Sequence, residues 1–224
     1  MLTLVCFALK EEAAPFHKVA AQHPGTITLI VGIGRQNADR AIRDFLAKNS
    51  PDLVFTCGFA GGLNPELKIG DVVVEMPGSN RGNEAQIPAE SEPSDVGCYE
   101  ELVAAGAKPV KFYCADRIAT TVAEKKALRN QTGADAVEME SGAIQAVCAE
   151  KGIPCVTLRV ISDPAYEDLP LDFNALAKPD RSLDFGKLAW AIARSPGKIP
   201  QLMALRKKTS VAAERLAEAL SRAL

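Results

Sequence analysis

Short apolar runs alternate along the chain with stretches whose apolar residues repeat every three to four positions. The predicted strands cover residues 2–9, 26–33, 52–57, 71–75, 110–118, 136–137 and 154–161. The predicted helices cover a stretch from Glu11 that is broken or kinked at Pro15, then residues 35–48, 99–106, 122–131, 139–151, 183–194 and 199–222. Because continuously apolar strands are buried on both faces, this alternation predicts a three-layer α/β fold. Its centre is a mixed, mostly parallel twisted sheet flanked by helices.

Two stretches interrupt this alternation. Residues 77–97 are rich in Pro, Gly, Ser and acidic residues, which is typical of a surface loop. Residues 163–180 contain three prolines and also predict a loop. We find neither an internal repeat nor a linker, and 224 residues suit one domain, so we predict a single domain over residues 1–224.

Composition narrows the function classes. Hydrophobic residues make up 47% and charged residues 24%, which are globular proportions. The net charge of −2 lacks the basic excess of a nucleic-acid-binding protein, so we expect no nucleic-acid partner. The two histidines, His17 and His23, leave few candidates for a Ser-His-Asp triad or a His-rich metal site, and we expect both at the surface. We predict no metal.

The cysteines and the N-terminus indicate a compartment. None of the six cysteines forms a C-x-x-C pair, and most lie in apolar runs, so we expect buried, reduced thiols. The apolar run at the N-terminus is too short for a secretory signal, and no run of about 18 apolar residues occurs. We therefore expect a cytoplasmic protein.

The last predicted helix, residues 199–222, is amphipathic and basic. One interpretation is a helix that lies on a membrane surface. The other, which we favour, is a helix that covers the sheet and leaves a basic face in solvent.

Polar residues follow several predicted strands, where ligands bind in parallel α/β sheets. They are Glu11 and Glu12, the run Gly32 to Arg35, the glycine-rich run 58–62, the run Glu138 to Glu140, and Ser162 with Asp163. Carboxylates stand at three of these strand ends and a histidine at none. The placement predicts a site in which Asp and Glu carry the proton chemistry.

The glycine motifs do not indicate a dinucleotide or P-loop site. A dinucleotide fingerprint needs a third glycine where this chain has Asn37, and no G-K-[ST] sequence occurs. We therefore predict no cofactor. The run 58–62 could still direct backbone N–H groups toward a ligand.

Five segments together resemble a known family. They are FALKEEAAPF (7–16), GIGRQNA (32–38), TCGFAGGLNPELKIGDVVV (56–74), ADAVEMESGAIQAVC (134–148) and VTLRVISD (156–163). In this order they resemble the type I nucleoside phosphorylase superfamily, and within it the 5′-methylthioadenosine/S-adenosylhomocysteine nucleosidases. The C-terminal part is similar instead to the hopanoid-associated branch, whose members remove adenine from adenosylhopane.

The resemblance implies roles for individual residues. Asp163 matches the general acid toward N7 of the leaving purine, and Glu140 matches the acid that binds the ribose hydroxyls. Met139 matches the residue that lies against the sugar, and Glu12 the general base that activates water. Such an arrangement suits an oxocarbenium-like transition state.

Further residues are implied around these. Ser162 and Arg159 match residues that hold Asp163 and the polar network. Ile118 and the Ala119 backbone fall where the family contacts the base, with Ile118 in place of an aromatic residue. The other expected substrate-binding residues are Glu138, Phe59, Ala60 and Gly61.

Hydrolysis and phosphorolysis both remain open, and we favour hydrolysis. The resemblance implies that phosphorylases carry an Arg and a Ser where this chain has Thr56 and Phe59, and Glu12 would repel phosphate. Arg35 and Gly34 are candidate phosphate-binding residues for the alternative. A third hypothesis is that the protein binds purine nucleosides without catalysing a reaction.

The substrate's 5′ side is the least defined part. The polar segment after Glu75 and the C-terminal part suggest an open 5′ side that accepts a large apolar substituent, as in adenosylhopane. Methylthioadenosine, adenosylhomocysteine and other purine nucleosides are the alternatives. The family also implies a homodimer or a larger homo-oligomer.

Overall fold

The computed structural model describes residues 1–76, 96–178, 180–182 and 184–224. Its strands are β1 (Thr3–Phe7), β2 (Thr26–Ile30), β3 (Leu53–Gly62), β4 (Val72–Glu75), β5 (Lys108–Val110), β6 (Phe112–Cys114), β7 (Ala136–Glu138) and β8 (Cys155–Asp163). Its helices are α1 (Lys10–Ala20), α2 (Arg35–Leu46), α3 (Val96–Ala104), α4 (Val122–Thr132), α5 (Ser141–Glu150), α6 (Phe185–Arg194) and α7 (Ile199–Ala223), with a 3₁₀ turn at Pro196–Lys198. Most of the predicted loop 77–97 lies outside the described residues.

The strands of the described residues form one eight-stranded sheet. Its main path runs β2-β1-β3-β8-β4-β5, and β7 joins β3 to β6. Five of the strand pairs are parallel, while β4 runs antiparallel to β8 and β7 antiparallel to β3. The predicted mixed, mostly parallel sheet is confirmed.

Helices cover both faces of the sheet. On one face α1, α3 and α7 enclose a core that includes Phe7, Phe16, Phe55 and Leu216. On the other face α2 and α5 pack over a core that includes Ile42 and Ile144. This arrangement is the predicted three-layer α/β fold, and the buried strands read as continuous apolar runs because they are covered twice.

Local sequence explains where several helices begin and end. Helix α4 starts with a capping box in which Thr121 accepts from the Glu124 N–H, and it stops at Gly133 in the left-handed region, φ 66°. Asp184 caps α6 by accepting from the next helical amides. Helix α1 runs through Pro15, so of the predicted break or kink the break is wrong. Its buried Ala13 and Phe16 hold the helix against the core on both sides of the proline.

Two strand predictions need correction. Strand β3 does not stop at Cys57 but continues through Gly62, because its glycine-rich half pairs with β8 and with β7. The predicted strand 110–118 is instead the two short strands β5 and β6, which pair with β4 and β7 respectively. Lys111 lies between these two strands, and its N–H donates to the Asp135 carboxylate.

The cysteines and histidines are placed as follows. The six cysteines are not joined by disulfides, and five of them are buried. His17 is exposed on α1, whereas His23 is half-buried with Nε2 3.1 Å from Ser221 Oγ. No helix among the described residues is long and apolar enough to span a bilayer.

Candidate active site

The site is built where the neighbouring central strands β3 and β8 run side by side. Gly58 faces Arg159 in the register, and Gly61 faces Asp163 after an irregularity at Ala60. Gly58 has φ +149°, and a Cβ there would lie 2.8 Å from both Arg159 Nη1 and Glu12 Oε1. Only glycine therefore lets these two charged side chains meet against the strand.

Three buried glutamates surround the Arg159 guanidinium. Nη2 of Arg159 lies 2.7 Å from Glu138 Oε2 and 3.7 Å from Glu140 Oε2, and it donates to Thr56 Oγ1 at 3.2 Å. Glu12 adds a third carboxylate near Nη1, as the Gly58 geometry requires. We call Glu12, Glu138, Glu140 and Arg159 the acid cluster. Burial lowers the pKa of Arg159, but the three glutamates more than offset this and raise it above its ordinary value.

Glu138 sits below the start of α5. Its Oε2 accepts from the backbone N–H groups of Glu140 and Ser141, at 3.0 and 2.7 Å. These amides are the positive end of the helix dipole, so they stabilise the carboxylate together with Arg159. The same bonds fix the start of α5 and thereby the position of the Glu140 side chain.

Glu12 lies in the first turn of α1 and is held from two directions. Its Oε2 accepts from the Leu9 N–H at 2.9 Å and its Oε1 from the Phe59 N–H at 2.8 Å. Burial raises the pKa of Glu12, and the hydrogen bond from Phe59 and the charge of Arg159 act in the opposite direction. A carboxylate with a raised pKa is the stronger base, which suits the role expected for this residue.

Glu140 is held by the loop before α2. Its Oε1 accepts from the Gly34 N–H at 2.8 Å. Burial, opposed by Arg159 and supported by the charge of Glu138, raises the pKa of Glu140 to about 7. The carboxyl group is therefore balanced between its acid and its ionised form near neutral pH. Met139, the preceding residue, is buried beside it.

Asp163 ends β8 and is held by two side chains. Its Oδ1 accepts from the Ser162 hydroxyl at 2.6 Å, and that hydroxyl also lies 3.3 Å from the Ala60 carbonyl. Its Oδ2 is 2.6 Å from Lys125 Nζ. Ser162 thus lies beside Asp163, as expected, whereas the cation at Asp163 is Lys125, with Arg159 in the acid cluster.

Lys125 is a residue that the sequence did not single out. Its side chain is 0% exposed, and its ammonium also donates to the carbonyls of Pro164 and Glu167, at 2.8 and 2.9 Å. A buried ammonium with three acceptors is held in one place. The lysine therefore ties Asp163 to the chain segment that follows it.

Ile118, which is expected near the base, is bonded to a residue farther along the chain after Asp163. Both polar backbone groups of Ile118 are bonded to the side chain of Asn174: the Ile118 N–H donates to Oδ1 and its carbonyl accepts from Nδ2, each at 2.9 Å. Ala119, next in the chain, is buried. Asn174 is a second residue that sequence reasoning missed.

The two candidate phosphate-binding residues are already engaged. The Gly34 N–H is bonded to Glu140, and the Arg181 side chain lies over the Gly34 backbone. Arg35 donates to the Cys114 carbonyl at 3.3 Å and lies 3.7 Å from Asp116. An anion bound at either residue would have to compete with these acceptors.

A cavity of about 490 Å³ borders Ser162 and Asp163. It is also lined by the loop around Leu169, by Lys198 of the 3₁₀ turn and by the first half of α7, including Lys208. Among the described residues, no group of three His, Cys, Asp or Glu side chains is arranged to hold a metal ion.

Comparison with known proteins was made for sequence and for fold. The family model described as "Phosphorylase superfamily" matches residues 15–192. A curated 5′-methylthioadenosine/S-adenosylhomocysteine nucleosidase of Shewanella halifaxensis is 33% identical over 181 residues, which are 70% of this chain and 76% of that protein. One from Shewanella baltica is 32% identical over 170 residues, covering 64% of this chain and 69% of that one.

Solved structures with a similar fold include two enzymes. The futalosine hydrolase of Helicobacter pylori superposes with a TM-score of 0.70 at 18% identity, over 100% of this chain and 97% of that one. The 5′-methylthioadenosine/S-adenosylhomocysteine nucleosidase of Neisseria meningitidis gives 0.69 at 21% identity, over 99% and 97%. At these identities the likeness concerns the fold.

Proposed function

The chain belongs to the phosphorylase superfamily, and from this premise we propose that it hydrolyses the N-ribosidic bond of a 5′-substituted adenosine. Its curated relatives are named as nucleosidases. The observation that carries the proposal is Asp163, fixed between Ser162 and Lys125 at the end of β8, beside a cluster of buried carboxylates.

In the proposed reaction the bond between C1′ of the ribose and N9 of adenine breaks. Asp163 gives its proton to N7 of the leaving adenine, so that the base departs neutral. Water adds to C1′ of the oxocarbenium-like sugar while Glu12 takes the proton of that water. The products are adenine and the free 5′-substituted ribose.

The other acids position the sugar in this proposal. Glu140 accepts hydrogen bonds from the ribose hydroxyls, and Met139 lies against the ring. Glu138 and Arg159 orient Glu140 through the start of α5 and through their charges. The acid cluster also places negative charge near the developing positive charge of the sugar, which lowers the barrier to bond cleavage.

Hydrolysis is favoured over phosphorolysis by the partners of the backbone donors. The N–H groups of Phe59 and Gly34 already donate to Glu12 and Glu140. Phosphate would therefore meet carboxylates where it needs donors and cations. Water has no such conflict and can be activated by Glu12.

For the 5′ substituent we propose a large apolar group of the adenosylhopane type, with methylthioadenosine and adenosylhomocysteine as alternatives. The support is the resemblance of the C-terminal part of the chain to the hopanoid-associated branch. A panel of adenosines with small, polar and long apolar 5′ groups, compared by kcat/KM, distinguishes these choices.

The direct test is adenine release by wild-type protein and by Asp163→Asn. We expect adenine without added phosphate, and a loss of about 10²–10⁴-fold in kcat for the variant, because general acid catalysis contributes about that much. Asp44→Asn, at an exposed position of α2, serves as the matched control and should keep full activity.

Three results would contradict the proposal. An Asp163→Asn variant with full activity would exclude its role as the acid. A rate that depends on phosphate and yields a ribose 1-phosphate would identify a phosphorylase. Tight binding of adenosine without any release of adenine would identify a binding protein.

A further inference from the structure

The segment from α6 to the middle of α7 carries a concentrated positive charge. Between Phe185 and Ala213 the sequence contains no Asp or Glu, although the whole chain has a net charge of −2. The six basic residues of this segment are Lys187, Arg194, Lys198, Arg206, Lys207 and Lys208. The positive charge is thus local.

Large apolar side chains in the same segment remain in solvent. Phe185 is 74% exposed, Trp190 61%, Met203 68% and Ile199 41%. Helix α6 has no buried side chain at all, although its apolar residues would suit a packed face. Four large apolar residues are exposed within nineteen positions, a concentration of the kind found at binding surfaces.

Helix α7 changes its surroundings along its length. In its second half Ala212, Leu216 and Leu220 are buried against the core of the α1 face. In its first half Ile199, Met203 and Arg206 follow one another at spacings of four and three residues, which places them on one side of the helix. We call the surface formed by the exposed apolar and basic residues of 185–207 the α6–α7 basic face.

The mixture of residues indicates what covers this face. Lysines are depleted in the buried part of protein–protein interfaces, whereas here they stand among the apolar residues. Trp, Phe, Lys and Arg side by side are typical of helices that lie in the headgroup region of a bilayer, with the rings in the boundary and the cations on anionic lipids. The Arg194 guanidinium carbon lies 4.2 Å from the centre of the Trp190 ring, so a cation and an aromatic ring are in direct contact on this face.

We propose that the α6–α7 basic face binds the surface of an anionic lipid bilayer. The cavity beside Asp163 is lined by Lys198 of the 3₁₀ turn and by Leu205 and Lys208 of α7, on the side of the helix away from Met203. The proposal goes beyond the proposed function, and it can be tested without any measurement of activity.

The chain has a single tryptophan, Trp190, so its fluorescence reports on this face alone. The experiment adds full-length protein to vesicles of phosphatidylcholine with or without phosphatidylglycerol, and measures Trp emission and co-sedimentation. We expect a shift of emission to shorter wavelength and sedimentation with the anionic vesicles only. Both effects should decrease as ionic strength rises, because salt screens the attraction.

The test variant is the double charge reversal Arg206→Glu, Lys207→Glu, at two exposed positions. Its affinity for anionic vesicles should fall at least about tenfold, because each basic residue near the surface contributes to the attraction. The matched control is Lys48→Glu, Lys151→Glu, exposed on the α2–α5 face, which should bind as the wild type does. Thermal denaturation verifies that both double variants are folded.

The proposal is overturned by any of three results. These are wild-type protein that neither shifts nor sediments with anionic vesicles, equal binding to pure phosphatidylcholine, and an emission shift that follows protein concentration without lipid. The last result would identify a second copy of the chain as the occupant. None of them bears on adenine release, so failure here leaves the proposed function standing.

Discussion

At the scale of single residues, the site buries more acidic than basic side chains. Glu12, Glu138 and Glu140 share one guanidinium, and all four side chains are buried. Removing a carboxylate from water costs free energy unless it is paired or takes a proton. Burial raises the pKa of Glu140 to about 7, so this carboxyl group takes up a proton more readily than an exposed glutamate does.

This raised pKa of Glu140 predicts a dependence of stability on pH. The folded-state pKa lies above the ordinary value of 4.5, so the folded state binds the proton more tightly than the unfolded chain does. The resulting stabilisation is complete below about pH 4.5 and is lost as pH rises through about 7, at a cost on the order of 3 kcal/mol. Glu140→Gln should therefore stabilise the protein at pH 8 relative to wild type.

Thermal denaturation between pH 5 and 8 measures this effect. The difference in Tm between Glu140→Gln and wild type should grow with pH, whereas Glu11→Gln, at the exposed neighbour of Glu12, should follow the wild-type curve. A difference in Tm that does not change with pH would show that Glu140 is ionised throughout.

Lys125 supports a second prediction at this scale. Its ammonium stabilises the carboxylate that Asp163 becomes once it has given up its proton. We expect Lys125→Met to lower kcat by about 10²-fold, with a smaller change in KM, because proton transfer to the leaving base then lacks this stabilisation.

The neighbouring Lys126, which is exposed, provides the matched control Lys126→Met. The Tm of both variants separates a loss of fold from a loss of chemistry. A folded Lys125→Met protein that keeps the wild-type kcat, or whose KM changes as much as its kcat, would assign the lysine a structural role only.

The sequence pointed to the acids of this site and to neither Lys125 nor Asn174. Glu12, Glu138, Glu140 and Asp163 follow predicted strands, where ligands are expected, and they lie in segments that resemble a known family. Lys125 is one of two adjacent lysines in an amphipathic helix, a pattern typical of a solvated surface. Its burial depends on the segment 164–167 folding over it, which only the tertiary structure specifies.

At the scale of elements, strand β3 differs most from its prediction. Glycines normally indicate a turn, yet Gly58, Gly61 and Gly62 belong to a ten-residue strand. Their lack of a side chain lets neighbouring groups approach: a Cβ at Gly61 would lie 3.3 Å from Asp163 Oδ2. Single-sequence patterns do not reveal such approaches, because the partners come from distant parts of the chain.

Gly58→Ala tests this account of β3. The new methyl group would lie 2.8 Å from Arg159 Nη1 and Glu12 Oε1 in a strained backbone, so one of them must move. We expect destabilisation of about 1–3 kcal/mol, as for other overpacked sites, together with a strong loss of activity. Gly197→Ala, whose Cβ would meet nothing within 4 Å, is the control. A fully active, equally stable Gly58→Ala protein would show that the acid cluster does not depend on this glycine.

At the scale of the whole molecule, the fold class, the superfamily and the nucleosidase type of enzyme were all predictable. The alternation of strands and helices predicted the three layers, and the motifs predicted the family. Both predictions are confirmed. The order of strands was not predictable, because the pairing of β4 with β8 and of β7 with β3 joins segments far apart in sequence. The single domain, the homo-oligomer and the cytoplasmic location stay predictions.

The acid cluster also has a consequence for how this protein can change over evolution or in the laboratory. The cluster buries several carboxylates around one guanidinium, and these like charges repel one another. The substitutions that would raise the free energy of unfolding most therefore fall on the residues proposed to act on substrate. Selection for thermostability alone would then erode turnover at these positions. Robustness is better sought in the apolar packing between α2 and α5, around Ile42 and Ile144, where no charge that the reaction needs is involved.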